Sequence, residues 1–276
     1  MTALRSVSLG LLAIAAGLVA WATWIEPRRL VVRRRTLRLA RWPAALDGLT
    51  VALVSDLHAG SPQVDEAFVE RVVEQVRRRR PELVLLLGDF VDPHGTLARP
   101  VAPEAVAQRL GALGGVAVLG NHDWLTDGPR VARALRDAGI TVLEDEAVAL
   151  PVRGTTLWIA GLADATERSP DVGQALSGVP EGEPLLVLSH DPDLFPRIPA
   201  RAALTVSGHT HGGQVNVPGL RARVIPSRHG DRYARGHVVE GGRHLYVTSG
   251  VGTSTHPVRF ARPPEVVMLT LRSSSS

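Results

Sequence analysis

LTVALVSDLH, residues 49–58, is a short aliphatic run that breaks abruptly into Asp56 and His58. It predicts a buried strand over residues 49–55 with two polar side chains at its C-terminal end. Working outward, Val64, Phe68, Val72 and Val76 recur every fourth residue and predict a helix. The arginines at 77–80 suit that helix's C-terminal dipole, and Pro81 stops it. The next apolar run, 83–87, ends in Gly88-Asp89. A third, 115–119, ends in Gly120-Asn121-His122-Asp123, and a helix follows through Val131, Leu135 and Ala138 with Gly139 as its C-cap. The second half repeats the habit: 157–160, then 185–188 ending in Ser189-His190, then 204–206 ending in Ser207-Gly208-His209-Thr210-His211. Val238 and Val239 are expected to pair with 245–247 as a hairpin, and 266–271 to form a last antiparallel strand. Apolar runs alternating with helical patterns predict an α/β sheet.

Composition limits the chemistry. The chain has 276 residues, 45% hydrophobic and 21% charged, an ordinary globular balance that can bury a sizeable core in one large domain or two small ones. It contains no cysteine, which excludes disulfides, zinc-thiolate sites, iron-sulfur clusters and a thiol nucleophile. All 31 basic residues are arginine, so Schiff-base chemistry and a Walker lysine are excluded as well. The arginine-only usage reads as genome composition.

Charge is unevenly placed. Residues 1–41 hold eight arginines against Glu26 alone, a charge of +7, while residues 42–276 carry −3. The body therefore offers no basic nucleic-acid face, and no nucleic-acid partner is expected. Residues 7–25 (VSLGLLAIAAGLVAWATWI) are uncharged and as a helix span about 28 Å, close to the hydrocarbon thickness. Trp21 and Trp24 sit where headgroups would lie, and Arg28, Arg29, Arg33, Arg34 and Arg35 follow, which predicts a single-pass anchor with the body cytoplasmic. The other reading is a secretory signal with Arg5 as n-region and Ala20-Trp21-Ala22 as cleavage site, giving an exported, wall-associated protein. Part of the arginine run also alternates as a first strand near 36–39. The expected organisation is an anchor and basic juxtamembrane segment at 1–29, one catalytic domain at 30–272, and a disordered tail at 273–276.

Five of the ten histidines, His58, His122, His190, His209 and His211, stand at strand ends beside Asp56, Asp89 and Asn121. Open α/β sheets place their sites there. In order these residues spell D-x-H, G-D-x-x-D, G-N-H-D, H and G-H-x-H. In that pattern the chain resembles the calcineurin-like metallophosphoesterases, and Ser207 to Gln214 and Ser249 to Thr253 resemble their membrane-associated bacterial branch.

The resemblance implies a four-layer α/β/β/α sandwich of two mixed sheets with two metals at its edge. Asp56, His58 and His211 would hold the first metal, Asn121, His190 and His209 the second, with Asp89 bridging. Such ligands suit Mn²⁺, the first expectation, or Fe, Zn²⁺ or Mg²⁺. Two cations can lower the pKa of a shared water and clamp both oxygens of an in-line displacement at phosphorus. His122 would protonate the leaving group, with Asp92 holding its imidazole; the plainer role for Asp92 is a turn cap before Pro93. Asp123 reads as a helix cap or a support to the ligands. His94, His229, His237, His244 and His256 lie outside the motifs, although His229 or His256 would be placed to line a pocket, and Arg228, Arg232 and Arg235 to meet phosphate. The expected substrate is a phosphodiester or pyrophosphate of a membrane or cell-envelope compound, lipid-linked compounds included. A phosphomonoesterase, a nuclease or a non-catalytic metal-binding scaffold are the alternatives, and no obligate protein partner is evident.

Overall fold

Two six-stranded mixed sheets pack face to face in the computed structural model, which describes residues 2–92, 99–217 and 225–274. The first sheet uses β1 (Val31–Leu39), β2 (Leu49–Val54), β3 (Leu83–Leu86), β4 (Val116–Ala117), β5 (Thr141–Val142) and β12 (Glu265–Ser273), in the order β1-β12-β2-β3-β4-β5. The second uses β6 (Glu146–Val152), β7 (Thr155–Gly161), β8 (Leu185–Leu188), β9 (Leu204–Ser207), β10 (Gly236–Glu240) and β11 (Arg243–Val247), in the order β10-β11-β9-β8-β7-β6. Strands β2, β3, β4 and β5 are parallel, as are β7, β8, β9 and β11, so their C-terminal ends open on one edge.

The side-chain period of two sorts each strand between layers. Leu49, Val51 and Leu53 of β2 face the core between the sheets, which they share with Leu186, Leu188, Leu204 and Val206 of the second sheet. Ala52 and Val54 turn the other way, onto a cluster with Phe68, Val72 and Val76 of α2 (Glu66–Arg77), Val106 and Leu110 of α3 (Pro103–Gly111), and Val131 and Leu135 of α4 (Asn121–Asp137). Leu185 and Val187 pack outward on α5 (Val172–Leu176). This is the expected α/β/β/α sandwich. Strands buried on both faces explain the uninterrupted apolar runs.

Several elements depart from the expectation. The run at 115–119 pairs as a strand only over Val116–Ala117. β12 is antiparallel to β2 but parallel to β1. It also extends through Ser273, whose N–H donates to Asp47 Oδ1 at 2.8 Å, so the tail expected from 273 begins inside a strand; Ser275 and Ser276 lie outside the described residues. The helix α4 is broken at Asp127, two residues before Pro129.

The N-terminal segment forms α1 (Thr2–Ala20), which continues as a wider π turn over Trp21–Ile25 and a 3₁₀ turn over Glu26–Arg28. Residues Ser6–Arg28 are long and apolar enough to cross a membrane, and Val7, Leu9, Leu11, Leu12 and Ile14 are exposed rather than packed on the body. The last turns behave differently. Glu26 is 2% exposed and accepts N–H bonds from Ala261 at 2.9 Å and Arg262 at 2.5 Å, and the Arg259 N–H donates to Ala22 O at 2.9 Å. Residues expected to belong with the anchor are thus fastened to the sandwich.

Candidate active site

The first two site loops leave adjacent parallel strands and stay paired. Asp56 N–H donates to Gly88 O at 2.9 Å, His58 to Asp89 O at 2.9 Å and Ala59 to Phe90 O at 3.0 Å. Asp56, His58, Asp89, His209 and His211 all have positive φ, between 46° and 67°. Such backbone costs on the order of 1–3 kcal/mol per residue outside glycine and gathers at functional sites. Two glycines permit the close approach. A Cβ on Gly120 would collide with the Asp89 carboxylate, and one on Gly208 with the Ser55 hydroxyl.

Asp56, His58, Asp89, Asp92, His122, His190, His209 and His211 fall in three groups of possible ligand atoms, one of them His58, Asp92 and His122. Asp56, His58 and His211 offer ligand atoms within 4.8 Å of one another, and Asp89, His190 and His209 do the same. Asp89 links its own group to the first, since its Oδ2 is 3.5 Å from His58 Nε2 and 3.2 Å from His190 Nε2. Facing imidazole nitrogens are close as well: His58 Nε2 and His211 Nε2 are 3.0 Å apart, His209 Nδ1 and His190 Nε2 3.2 Å. Asp56 Oδ2 and Asn121 Oδ1 are buried with no hydrogen-bond partner. Buried acceptors without donors are costly, and clustered carboxylates and imidazoles with an orphaned amide oxygen in the neighbouring turn suit divalent cations.

The local field is strong. Burial alone would favour a neutral Asp89, but His190, His58 and His122 hold its carboxyl well below the ordinary range. His190 is raised well above its usual value by Asp89 despite full burial, whereas burial, His58 and Arg259 push His211 well down.

His122 sits beside the two groups. Its Nδ1 is 3.4 Å from Asp92 Oδ1, and its Nε2 is 3.5 Å from Ser254 Oγ. Burial opposes its charge, yet the Asp92 contact and the charges of Asp89 and Asp92 raise it above the ordinary imidazole value. Asp92 serves two rings, since its Oδ2 is 3.3 Å from His58 Nδ1. Against the pull of burial, those two imidazoles hold the Asp92 carboxyl far below its usual range.

Asp123 supports rather than faces the site. Its carboxylate accepts the N–H groups of Gly120, Asp89, Phe90 and Val91 at 2.8–3.3 Å, tying the end of β3 to the start of α4. Burial and the Asp89 charge push it up to about 7.

Four residues outside the motifs complete the setting. Arg259 is fully buried; its guanidinium donates to Ser249 O at 2.8 Å, Gly252 O at 2.5 Å and Arg262 O at 3.0 Å, and lies 3.4 Å from His211 Nδ1. Burial lowers it to about 10, so it stays cationic at neutral pH. The loop it pins passes Gly252 N–H to Asp56 O and carries Ser254 to His122. Glu26 holds the far end of that loop and Glu265 the near end, through Ser249 N–H at 3.0 Å.

Of the remaining histidines, His256 lines a cavity of about 390 Å³ with His211, Ser254 and Val258, as expected of it. His229 packs on Tyr233, and His237 stacks on His244; His94 lies outside the described residues. Arg228, Arg232 and Arg235 pair with Asp193, Glu240 and Glu265.

The chain is similar to known metallophosphoesterases. The chain is 29% identical to the uncharacterized metallophosphoesterase YkuE of Bacillus subtilis, over 95% of this chain and 92% of that one. It is 26% identical to the UDP-2,3-diacylglucosamine pyrophosphatase LpxG of Chlamydia trachomatis, over 90% and 91%. Among solved structures, the sulfate thiohydrolase SoxB of Thermus thermophilus superposes with a TM-score of 0.50 at 15% identity, over 82% of this chain and 57% of that longer one, a likeness of fold. The family model of the calcineurin-like phosphoesterases matches residues 49–240, from the first residue of β2 to the last of β10. All nine residues gathered at the sheet edge fall inside that stretch, and the chain belongs to the calcineurin-like phosphoesterase family.

Proposed function

We propose that this phosphoesterase is a binuclear metal enzyme that hydrolyses a phosphodiester or pyrophosphate bond in a membrane or cell-envelope compound. The observation that carries the reading is Asp89 Oδ2, which lies within 3.5 Å of a histidine from each of the two ligand groups. Asp56, His58 and His211 would hold one cation, Asn121, His190 and His209 the other, with Asp89 between them. Mn²⁺ is the first choice for such a mixed nitrogen and oxygen set, with Fe, Zn²⁺ and Mg²⁺ as alternatives. When bound, the pair supplies an activated water at neutral pH and charge neutralisation at phosphorus.

The chain's own residues do the rest. His122 Nε2 gives its proton to the departing oxygen, and the Asp92 carboxylate, 3.4 Å from Nδ1, favours the protonated ring. Asp123 holds the turn that places Asn121 and His122. The helix over Ser6–Arg28 is long and apolar enough to cross a membrane, which supports an amphiphilic or envelope-derived substrate. LpxG, similar over nine-tenths of both chains, is named for such a pyrophosphate substrate.

The test is a substrate panel with the full-length chain in detergent, including alkyl phosphodiesters, pyrophosphate diesters and phosphomonoesters. Each is assayed after chelation and after return of Mn²⁺, Mg²⁺ or Zn²⁺, with metal counted by elemental analysis. Two metals per chain and chelator-sensitive hydrolysis of diester or pyrophosphate bonds are expected. One metal at saturation removes the binuclear reading, and a preference for monoesters removes the bond assignment.

A further inference from the structure

We infer that the arginines at the end of α2, together with those after α1, form a docking surface for anionic phospholipid headgroups that lays the catalytic domain against the bilayer. In sequence the two groups are about fifty residues apart. In the structure Arg28 and Arg29 line one cleft with Arg71 and Arg78 of the α2 region, and that cleft continues into one lined by Arg77, Arg78, Arg79 and Arg80. Arg28, Arg29, Arg71, Arg77, Arg78 and Arg80 are exposed. The neighbouring acids are Glu70 and Glu74, of which Glu74 pairs with Arg78 at 2.5 Å. Seven arginines against two acids leave a clear cationic excess on a body that is otherwise acidic. Crowding is visible at Arg79, whose guanidinium is held below its ordinary value by burial and then by Arg34 and Arg78.

Position selects the partner. Arg28 closes the segment long enough to cross a membrane, and that segment's last turns are fastened to the body through Glu26, Ala261 and Arg262. The cationic clefts therefore lie at the base of the span, where headgroups would be. Basic residues near an anionic leaflet gain on the order of 1 kcal/mol each, or about fivefold in association. A helix C-terminus alone would be served by one or two cations. Four consecutive arginines, joined by a second group from the juxtamembrane turn, exceed that need.

The proposal rests on the reading of Ser6–Arg28 as a span, and the experiment separates the two. Full-length protein is reconstituted into phosphatidylcholine vesicles with or without about one-third phosphatidylglycerol, an anionic lipid of the kind that attracts juxtamembrane arginines. Flotation with neutral vesicles and resistance to carbonate tests the span itself. Amide hydrogen exchange across residues 70–80 then reads the surface. Exchange about fivefold or more slower in the anionic vesicles is expected, reverting at about 1 M salt, where the screening length falls to about 3 Å. The variant R71Q/R77Q/R78Q/R80Q should lose the difference and keep its hydrolysis of a small soluble ester. Equal exchange in both vesicle types, in protein that floats with both, overturns the inference. Protection by a short RNA but not by phosphatidylglycerol overturns it in favour of a nucleic-acid surface.

Discussion

The main-chain N–H of His122 donates to Asp89 Oδ1 at 2.9 Å. One oxygen of this carboxylate is thereby committed to the turn that carries His122, and the other, Oδ2, is left facing His58 and His190. In the proposed bridge Oδ2 would be the oxygen shared by the two ligand groups, because the backbone bond occupies Oδ1. Asp89→Asn keeps the shape but removes the charge that allows two cations to sit close together. Metal content in that variant should fall below two per chain, with activity nearly abolished, while His190→Ala should mainly empty the second position. Two tightly held metals in Asp89→Asn would show that the bridge lies elsewhere.

His122 and Asp92 lead to a leaving-group experiment. General acid catalysis contributes about 10²- to 10⁴-fold when the departing oxygen is strongly basic, and little when it is a nitrophenolate. His122→Ala should therefore lose far more rate on alkyl phosphodiesters than on nitrophenyl ones, with both metals retained. Asp92→Asn should share that selectivity and add a second defect, because Asp92 Oδ2 also meets His58 Nδ1 at 3.3 Å. Weaker binding of the metal held with His58 is the expected addition, read as a rise in the metal concentration needed for half activity.

How far the sequence reveals this site follows from how each part is held. Parallel strands buried on both faces read as short apolar runs, and the site residues follow those runs within a few positions, so Asp56, Asp89, Asn121, His190 and His209 are legible in one dimension. Strand β6 is not, because it lies at a sheet edge with half-exposed side chains and its run of Ala147 to Val152 carries Pro151, which argues against a strand. Short helices α3 and α5 give too few turns for a periodic signal. Glu26 and Arg259 are invisible for a different reason. Glu26 acts through contacts across some 235 residues, and nothing local distinguishes it from a solvated juxtamembrane acid; Arg259 acts through carbonyls of an irregular loop that has no periodic signal. Ser254 hides in the Thr253-Ser254-Thr255 run, where only the fold brings it to His122.

The Glu26 contact predicts where the chain can be cut. Removing residues 1–29 strands the N–H groups of Ala261 and Arg262 and frees the loop that Arg259 pins, whereas a chain beginning at Trp21 keeps both. Unmet buried donors cost about 1–3 kcal/mol each. The version starting at Leu30 should melt several degrees lower and lose activity through the 249–262 loop, with the version starting at Trp21 close to full length. Glu26→Gln in the intact protein should reproduce part of the loss. Equal melting temperatures for the two truncated chains would show that the contact contributes nothing.

Glu265 gives a prediction for acid. Its carboxylate is 1% exposed and meets Arg235 at 2.6 Å, Arg33 at 2.5 Å and the Ser249 N–H at 3.0 Å. Burial opposes ionisation, but Arg235, the Ser249 N–H and Arg33 together bring the group from 4.5 down to about 2. A carboxyl depressed on folding stabilises the native state above its unfolded value and loses that contribution as pH falls through the folded one. The loss should run from about pH 4.5 to about pH 2 and amount to at most about 3.5 kcal/mol, since each tenfold change in proton affinity is worth about 1.4 kcal/mol. Glu265→Gln should be less stable at neutral pH and flatter across that window, leaving only the slope that the other carboxylates supply. Urea denaturation between pH 2 and pH 7 measures both, and an unchanged slope in Glu265→Gln would place the acid sensitivity elsewhere in the fold.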